Sequence, residues 1–307
     1  MVDIKIFADI GIGNQIQFIP AMKILEKEGY RLFTESKILW DLVPEILTEK
    51  LKKNEKAKYN FGIILYSQGL PTVIKAKKVC KKVIGFPPSF KITNHKPIPI
   101  ISSVFYTNKC RFNKNITEIE NNIDLISYFN IKQETIDYSL NISSATEKDV
   151  IGISAGSGGH PQKRWGNWIE LIDLINDKEI RLFGTENQLN ENIKKRTKHK
   201  NVKIIQTATI KEAALEISKC EIFISNDNGL MHLADILKVP VIAIFGMTEI
   251  KKNRPWNKPN KIVRRNLQCS PCYRSGKIKC INSEKYLCTK IPAIDVYKKY
   301  KELEKSL

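Results

Sequence analysis

The sequence has no long apolar run. Among its 307 residues the longest candidates are of strand length, such as residues 61–66 and 240–245, whereas a membrane-spanning helix needs about 18 apolar residues. The residues after Met1 show no apolar core ending in small residues, so nothing suggests an export signal. A hydrophobic content of 42% excludes disordered and collagen-like classes. We therefore expect a soluble cytoplasmic protein with one large or two medium-sized domains.

Acidic residues are few relative to basic ones. Asp and Glu number 32 against 51 Lys and Arg, which gives a formal net charge of +19. The excess is +7 in residues 1–146 and +12 in residues 147–307, so no single basic tail explains it. Such a surface attracts polyanions, including nucleic acids, anionic lipid headgroups and phosphorylated sugars. A Lys-rich composition without any polyanionic partner explains the charge equally well.

The chain opens with a pattern typical of a strand, a glycine loop and a helix. Apolar residues at 2–8 predict the strand, and the loop that follows contains Gly11 and Gly13. Apolar side chains then recur at helical spacing from Ile16 to about Glu28.

The same pattern returns in the middle of the chain. Residues 150–154 predict a strand, the loop 155–161 contains three glycines, and a helix is expected from about residue 164 to 175. The architecture therefore starts again near residue 150.

After each opening, predicted strands alternate with helices, which favours parallel sheets covered by helices on both faces. The polar stretch 131–149 predicts a linker, so we expect one domain at 1–146 and a second at 147–290. Ligands of doubly wound sheets bind at the carboxyl ends of the strands, so both glycine loops should face a cleft between the domains. The later predicted strands are residues 61–66, 82–84, 180–183, 202–205, 221–225 and 241–245.

Neither glycine loop completes a familiar nucleotide motif. Ile16 stands where a dinucleotide fingerprint needs its third glycine, and the loop at 156–159 lacks the Gly-Lys-Ser/Thr ending of a P-loop. Both loops still suit anions, because glycine lets backbone N–H groups approach a ligand at a helix N-terminus. A plain tight turn is the alternative.

Two further positions suggest an anion site. Lys163 and Arg164 are expected at the start of the second helix, where a bound phosphate would offset their repulsion by the helix dipole; otherwise both point to solvent. After the predicted strand 221–225, Asp227 or Asn228 can cap a helix whose first turn contains His232. A polar run at the end of an apolar strand favours a site over a structural histidine.

Four segments carry motifs that occur together in one known family. They are GIGN at 11–14 with IPA at 19–21, VIGF at 83–86, KRW at 163–165, and NDNGLMHL at 226–233 followed by PVIAIFGMT at 240–248. The last stretch is the most specific. Over almost its whole length, the chain resembles glycosyltransferase family 9, the lipopolysaccharide heptosyltransferases.

The resemblance implies a GT-B fold, with two Rossmann-like, doubly wound parallel-sheet domains facing a cleft. The N-terminal domain would bind the acceptor at the loop of Gly11 and Gly13, and the C-terminal domain the nucleotide sugar. Transfer would invert the anomeric carbon and need no metal cofactor, because helix-end donors and a lysine neutralise the leaving diphosphate. The donor-binding residues carried over are Lys163, Asp227, Asn228, Gly229 and His232, with Glu186 near the nucleoside.

This chain departs from the family at Asn14, where many members carry the aspartate proposed as catalytic base. A neutral amide cannot accept the acceptor's proton, so Asn14 can only orient it. Asp9 is the nearest carboxylate in the same loop and is our candidate base. A loop-capping role for Asp9 is the alternative.

Four of the seven cysteines cluster late in the chain, at Cys269, Cys272, Cys280 and Cys288. In a cytoplasmic protein this clustering favours a metal over disulfides, and a tetrathiolate site suits structural zinc or iron. Nearby lysines at 277, 279 and 285 would lower the thiol pKa values. Related autotransporter heptosyltransferases carry a four-cysteine iron finger with longer spacings; four reduced thiols in a loop are the alternative.

The end of the chain, residues 291–307, predicts an amphipathic helix that the resemblance places near the interdomain region. Lysines at 75–82 and 194–200 would be the electrostatic anchors for a phosphorylated lipid-linked acceptor at the anionic inner face of the inner membrane, or would simply be solvated.

The sequence thus predicts a glycosyltransferase that moves heptose from ADP-heptose to a lipid-linked or phosphorylated glycan, such as the lipopolysaccharide core, without specific nucleic-acid binding. The alternatives are a non-catalytic family member that binds polyanions and a GT-B sugar-nucleotide epimerase.

Overall fold

The computed structural model describes residues 1–48, 58–66, 69–87, 103–131, 135–142, 145–273 and 280–307. The chain divides into two compact units, Met1–Tyr138 and Ser139–Leu307. The division falls inside the polar stretch 131–149 that was predicted as a linker, of which residues 132–134 and 143–144 lie outside the described part.

The first unit contains a six-stranded sheet in the order β3-β2-β1-β4-β5-β6, and its strand pairs are parallel. The strands are β1 (Val2–Phe7), β2 (Tyr30–Thr34), β3 (Leu47–Thr48), β4 (Tyr59–Ile64), β5 (Cys80–Gly85) and β6 (Asn108–Lys109). The helices are α1 (Ile12–Ile16), α2 (Ile19–Lys27), α3 (Lys37–Leu42), α4 (Leu70–Val79) and α5 (Glu118–Ile126), followed by the 3-10 turn Ser127–Phe129.

The second unit repeats this topology, with parallel strands in the order β12-β11-β10-β7-β8-β9. The strands are β7 (Val150–Ser154), β8 (Glu179–Leu182), β9 (Val202–Ile204), β10 (Ile222–Asn226), β11 (Val241–Phe245) and β12 (Asn260–Arg264). The helices are α6 (Trp168–Leu174), α7 (Asn187–Arg196), α8 (Ile210–Ser218), α9 (Gly229–Ile236), α10 (Ile250–Asn253) and α11 (Ala293–Glu304), with 3-10 turns at Pro161–Lys163 and Leu287–Thr289.

Burial explains why the central strands of the second unit read as continuous apolar runs. All five residues of β7, of β10 and of β11 are buried, as expected for parallel strands covered on both faces. In the first unit, successive strands are added on one side of β1 as far as β3 and then on its other side from β4 onward. The strand order therefore switches between β1 and β4, and in the second unit it switches between β7 and β10. These switch points are where open α/β sheets bind ligands.

Two predicted helices differ from those observed. The helix expected from Ile16 to Glu28 is two helices, because Pro20 occupies the first turn of α2 and that helix begins anew at Ile19. The helix expected from residue 164 begins only at Trp168. The prediction that Lys163 and Arg164 begin it is therefore wrong: Lys163 ends the preceding 3-10 turn, and Arg164 is extended.

The last helix, α11, belongs to the second unit, where it packs against α6, β11 and β12. Its apolar side chains Val296, Tyr300 and Leu303 are buried in the same core as Trp165 and Trp168.

Candidate functional site

The second switch point is organised by Asn226, the last residue of β10, whose side chain is completely buried. Its amide Nδ2 donates to the carbonyl of Ala155 at 2.8 Å and to that of Gly156 at 3.2 Å. Its Oδ1 accepts the backbone N–H of Trp165 at 3.2 Å. One side chain thus fixes both the glycine loop after β7 and the segment that directly follows Lys163.

Asn228 caps helix α9 and ties it to the glycine loop. Its Oδ1 accepts the N–H groups of Leu230 at 2.9 Å and Met231 at 3.2 Å. Its Nδ2 donates to Ser154 Oγ at 3.0 Å and to the Gly156 carbonyl at 2.9 Å. Of the two predicted caps, the structure selects Asn228, which leaves Asp227 free of that task.

Asp227 instead pairs with Lys163. The Lys163 Nζ to Asp227 Oδ2 distance is 3.2 Å, and the side chains are only 14% and 7% exposed. A buried ammonium beside a buried carboxylate costs desolvation of both charges unless further polar partners are present. The Lys163 ammonium, whose charge Asp227 partly offsets, lies where the start of α9 meets the glycine loop.

His232, on α9, is 4% exposed. Burial lowers its pKa to about 4; Asp227 opposes this shift, whereas Lys163 and Lys252 favour it. The imidazole is therefore neutral near pH 7, where it acts as a hydrogen-bond donor at one nitrogen and an acceptor at the other rather than as a cation.

Glu186, expected near the nucleoside, is hydrogen-bonded to the glycine loop. Its Oε1 accepts the N–H of Ser157 at 2.9 Å, and its Oε2 pairs with Arg164. A Cβ on Gly156 would lie 2.8 Å from Oε1, so the carboxylate packs directly on the loop.

The glycine loop itself contains two residues in the left-handed region, Gly158 at φ +61° and Gly159 at φ +82°. A Cβ at either would meet nothing within 4 Å, so backbone conformation rather than space requires glycine there. The Ser157 hydroxyl is buried and has no hydrogen-bond partner among the described residues. A bound ligand could supply that partner.

Two contributors to this site were not predicted. Asn226 could have been singled out as a polar residue ending an apolar strand, although nothing in the sequence names its partners. Tyr273, whose hydroxyl lies 3.3 Å from His160 Nε2, follows the first cysteine pair and gives no local signal at all.

The first unit places the other predicted site residues around the end of β1. Asp9 and Gly11 are exposed, and Gly13 and Asn14 are half-buried. Gly11 is the N-cap of α1, and its carbonyl accepts the Asn14 N–H at 3.1 Å. Asp9 and Gly11 thus lie in the loop at the first switch point, where the exposed Asp9 carboxylate is accessible to a ligand. Gly13 and Asn14, predicted in the same loop, lie instead in the first turn of α1.

None of the four late cysteines forms a disulfide, and Cys269, Cys272 and Cys280 each lie close enough to Cys288 to affect its ionisation. Burial, together with Cys272, Cys269 and Cys280, raises the pKa of Cys288 to about 11. The pKa of Cys272 is also raised, by burial and by Cys269 and Cys280. The Cys269 sulfur accepts the Asn282 side-chain amide at 3.0 Å.

The donor set of four thiols has the chemistry of a zinc or iron site. However, within the described ranges no three His, Cys, Asp or Glu side chains have the geometry to hold a metal ion. Residues 274–279 of the intervening segment, including Lys277 and Lys279, lie outside the described part.

Comparison with known proteins identifies the class of this fold. A glycosyltransferase family 9 structure from Veillonella parvula superimposes with a TM-score of 0.75 at 18% identity, covering 100% of this chain and 98% of that one. An E. coli ADP-heptose lps heptosyltransferase II structure gives 0.74 at 15% identity, covering 100% of both chains. The two Rossmann-like units thus form the GT-B class of glycosyltransferase fold.

The family follows from the sequence match. The family model described as glycosyltransferase family 9 (heptosyltransferase) matches residues 109–281, and the chain belongs to this family. Lipooligosaccharide heptosyltransferase 2 of Campylobacter jejuni is 30% identical over 168 residues, covering 50% of this chain and 52% of that protein. The alignment thus spans about half the length of such curated relatives.

In the part of the chain that the structure describes, no helix is both long and apolar enough to cross a membrane.

Proposed function

We propose that this protein transfers heptose from ADP-heptose, with inversion, to the lipopolysaccharide core or a related surface glycan. The observation that carries the proposal is the buried Lys163 and Asp227 pair between the glycine loop and the start of α9, in a member of the heptosyltransferase family. Nucleotide-sugar chemistry requires positive charge where the diphosphate leaves.

The second unit would bind the donor. Asn228 already uses the N–H groups of Leu230 and Met231, so the helix N-terminus has fewer open donors than the motif suggests. The charge of the leaving diphosphate would then be met chiefly by Lys163, with neutral His232 as a hydrogen-bond partner. A fixed lysine supplies the charge stabilisation that a divalent cation provides elsewhere.

Calorimetric titration with ADP, UDP and ADP-heptose tests this assignment. We expect selective binding of the two adenine nucleotides by the wild type, and in Lys163→Ala a Kd that is raised at least about tenfold but is still measurable. Lys299→Ala is the matched control, because Lys299 is a half-exposed lysine of α11 that pairs with the neighbouring Glu302. Absence of nucleotide binding by the wild type would contradict the proposal and favour a polyanion-binding role.

The first unit would bind the acceptor, with Asp9 as the base that takes the proton of its attacking hydroxyl. Asp9 is exposed after β1, and Asn14, in the first turn of α1, can orient the hydroxyl but cannot accept the proton. Asp9→Asn should abolish turnover in a donor-consumption assay while leaving the Kd for ADP unchanged. Full activity of Asp9→Asn would refute this role.

The four cysteines would hold a structural zinc or iron ion that takes no part in the transfer. Burial and, after it, the neighbouring cysteines raise the pKa values of Cys272 and Cys288, so these sulfur atoms lie close enough for a cation to relieve the repulsion between thiolates. Elemental analysis of purified protein should find about one metal per chain, and Cys272→Ser should lose it. A metal-free, fully folded wild type would contradict the idea.

The location would be cytoplasmic and peripheral at the inner face of the inner membrane. The lysines at 75–82 and 194–200 support this, since both segments place exposed ammonium groups on helices or their flanks.

A further inference from the structure

Tyr273 lies at the proposed donor site although it is far from Lys163 in the sequence. The Lys163 ammonium is 5.8 Å from the centre of the Tyr273 ring. The Tyr273 hydroxyl is 3.3 Å from His160 Nε2, and the two rings meet edge to face with centroids 5.4 Å apart. The tyrosine therefore contacts both the lysine and the end of the glycine loop.

The segment that carries Tyr273 is fastened to the loop after β11. The backbone N–H groups of Cys272 and Tyr273 both donate to the Met247 carbonyl at 3.0 Å. The Ser270 hydroxyl donates to the Gly246 carbonyl at 2.7 Å. Because β11 is hydrogen-bonded to β10 in the sheet, these bonds fix Tyr273 relative to Asp227 and α9.

The geometry points to a defined role for this ring. Lysine has a flexible stem, so a free ammonium samples many positions and loses that freedom when an anion binds. Asp227 holds the Lys163 ammonium by charge, and the electron-rich face of Tyr273 attracts the same group without neutralising it. A second carboxylate at this position would compete with an incoming diphosphate for the ammonium, whereas the aromatic face attracts the ammonium without adding a further negative charge.

We propose that Tyr273 is a positioning residue that holds the Lys163 ammonium where it meets the diphosphate of the nucleotide donor. The role rests on the proposed function, in which Lys163 binds that diphosphate. This role also links the segment of Cys269 and Cys272 to the donor site, because Tyr273 directly follows Cys272.

The test is the Kd for ADP, measured by calorimetry for wild type, Tyr273→Phe and Tyr273→Leu. The phenylalanine retains the aromatic face and should bind ADP nearly as the wild type does. The leucine removes it and should weaken binding about fivefold, equivalent to about 1 kcal/mol. A phenylalanine as weak as the leucine would show that the hydroxyl bond to His160 matters instead, and would overturn the proposal.

A double-mutant cycle separates positioning from a general loss of structure. In a Lys163→Met background, Tyr273→Leu should have no further effect on the Kd, because the group it positions is gone. A full fivefold loss in that background would overturn the proposal, as would wild-type affinity in Tyr273→Leu itself.

Two further measurements keep the result decisive. Ser270→Ala removes only the bond to Gly246 and should weaken ADP binding in the same direction with Tyr273 intact. If Tyr273→Leu fails to fold, fluorinated phenylalanines at position 273 keep the shape and weaken the ring face stepwise, and the Kd should rise with fluorination. A wild type that binds no ADP would refute the proposed function, whereas ADP binding that is indifferent to fluorination would refute this inference alone.

Discussion

His232 is buried, so protonation would place a charge in a desolvated site; Lys163 and Lys252 add to this penalty, whereas Asp227 opposes it. Because the buried imidazole is neutral, it makes the free energy of unfolding depend on pH. Its pKa is about 6.5 in an unfolded chain and about 4 in the fold, so in the window between them the unfolded state binds a proton that the folded state does not. His232 therefore contributes stability above pH 6.5 that is lost as the pH falls towards 4.

We expect this loss to distinguish the wild type from His232→Gln. The difference in free energy of unfolding between the two should move against the wild type by about 3 kcal/mol from pH 7 to pH 4. Urea unfolding at several pH values measures it, and other titrating groups cancel because both chains contain them. A difference that stays constant with pH would contradict the buried, neutral assignment.

A second prediction for a single residue concerns Gly158 and the backbone conformation of the glycine loop. Its φ of +61° costs an L-residue about 1 kcal/mol, so Gly158→Ala should destabilise the protein or weaken ADP binding by about that amount. Gly166→Ala is the matched control, because a Cβ there also meets nothing within 4 Å and its φ is not positive. Equal effects of the two substitutions would contradict the explanation.

At the scale of elements, helix α9 is joined to the connection before β12 by one aspartate. Asp235 is buried, and its carboxylate accepts the N–H groups of Trp256 at 2.7 Å and Asn257 at 2.9 Å. The Asn257 side chain returns a bond to the Asp235 carbonyl at 2.6 Å. The helix that carries His232 is thereby fixed at its C-terminal end, as Asn228 fixes its N-terminal end.

Removing this acceptor should be costly. Asp235→Ala leaves two partly buried N–H groups without their partner, and we expect a loss of about 2 to 4 kcal/mol in the free energy of unfolding. Asp235→Asn keeps one acceptor oxygen and should cost less. Urea denaturation of the three proteins checks the order, and an alanine variant as stable as the asparagine variant would contradict it.

At the scale of the whole molecule, the net charge of +19 is shared by the two halves of the sequence. Long-range attraction to an anionic surface depends on this total and is screened by salt. Lys194 and Lys195, in the last turn of α7, are exposed and contribute to it.

We expect the protein to sediment with vesicles of phosphatidylglycerol and phosphatidylcholine but not with phosphatidylcholine alone, and to be released as salt rises to about 0.5 M. Lys194→Glu with Lys195→Glu should weaken this binding. Lys298→Glu with Lys299→Glu makes the same change of net charge on α11 and tests whether position matters beyond net charge. Binding that ignores lipid charge and salt would contradict a peripheral, electrostatic association.

The sequence by itself determined the repeated strand, glycine loop and helix openings, most strands of the second unit, and the family. These signals are local: apolar periodicity reports burial over a few residues, and short motifs report a single turn. Strands 150–154 and 241–245 were predicted to the residue for that reason.

Only the tertiary structure decided which side chains meet. Helix α6 begins at residue 168 rather than at the predicted residue 164 because Trp165 is held in the core. Its indole N–H donates to the Ile291 carbonyl at 2.7 Å, and its backbone N–H donates to the Asn226 side chain. Tyr273 contacts Lys163 although the two residues are more than 100 positions apart in the sequence. Such contacts depend on strand order and on bonds between distant loops, which no local pattern in the sequence encodes.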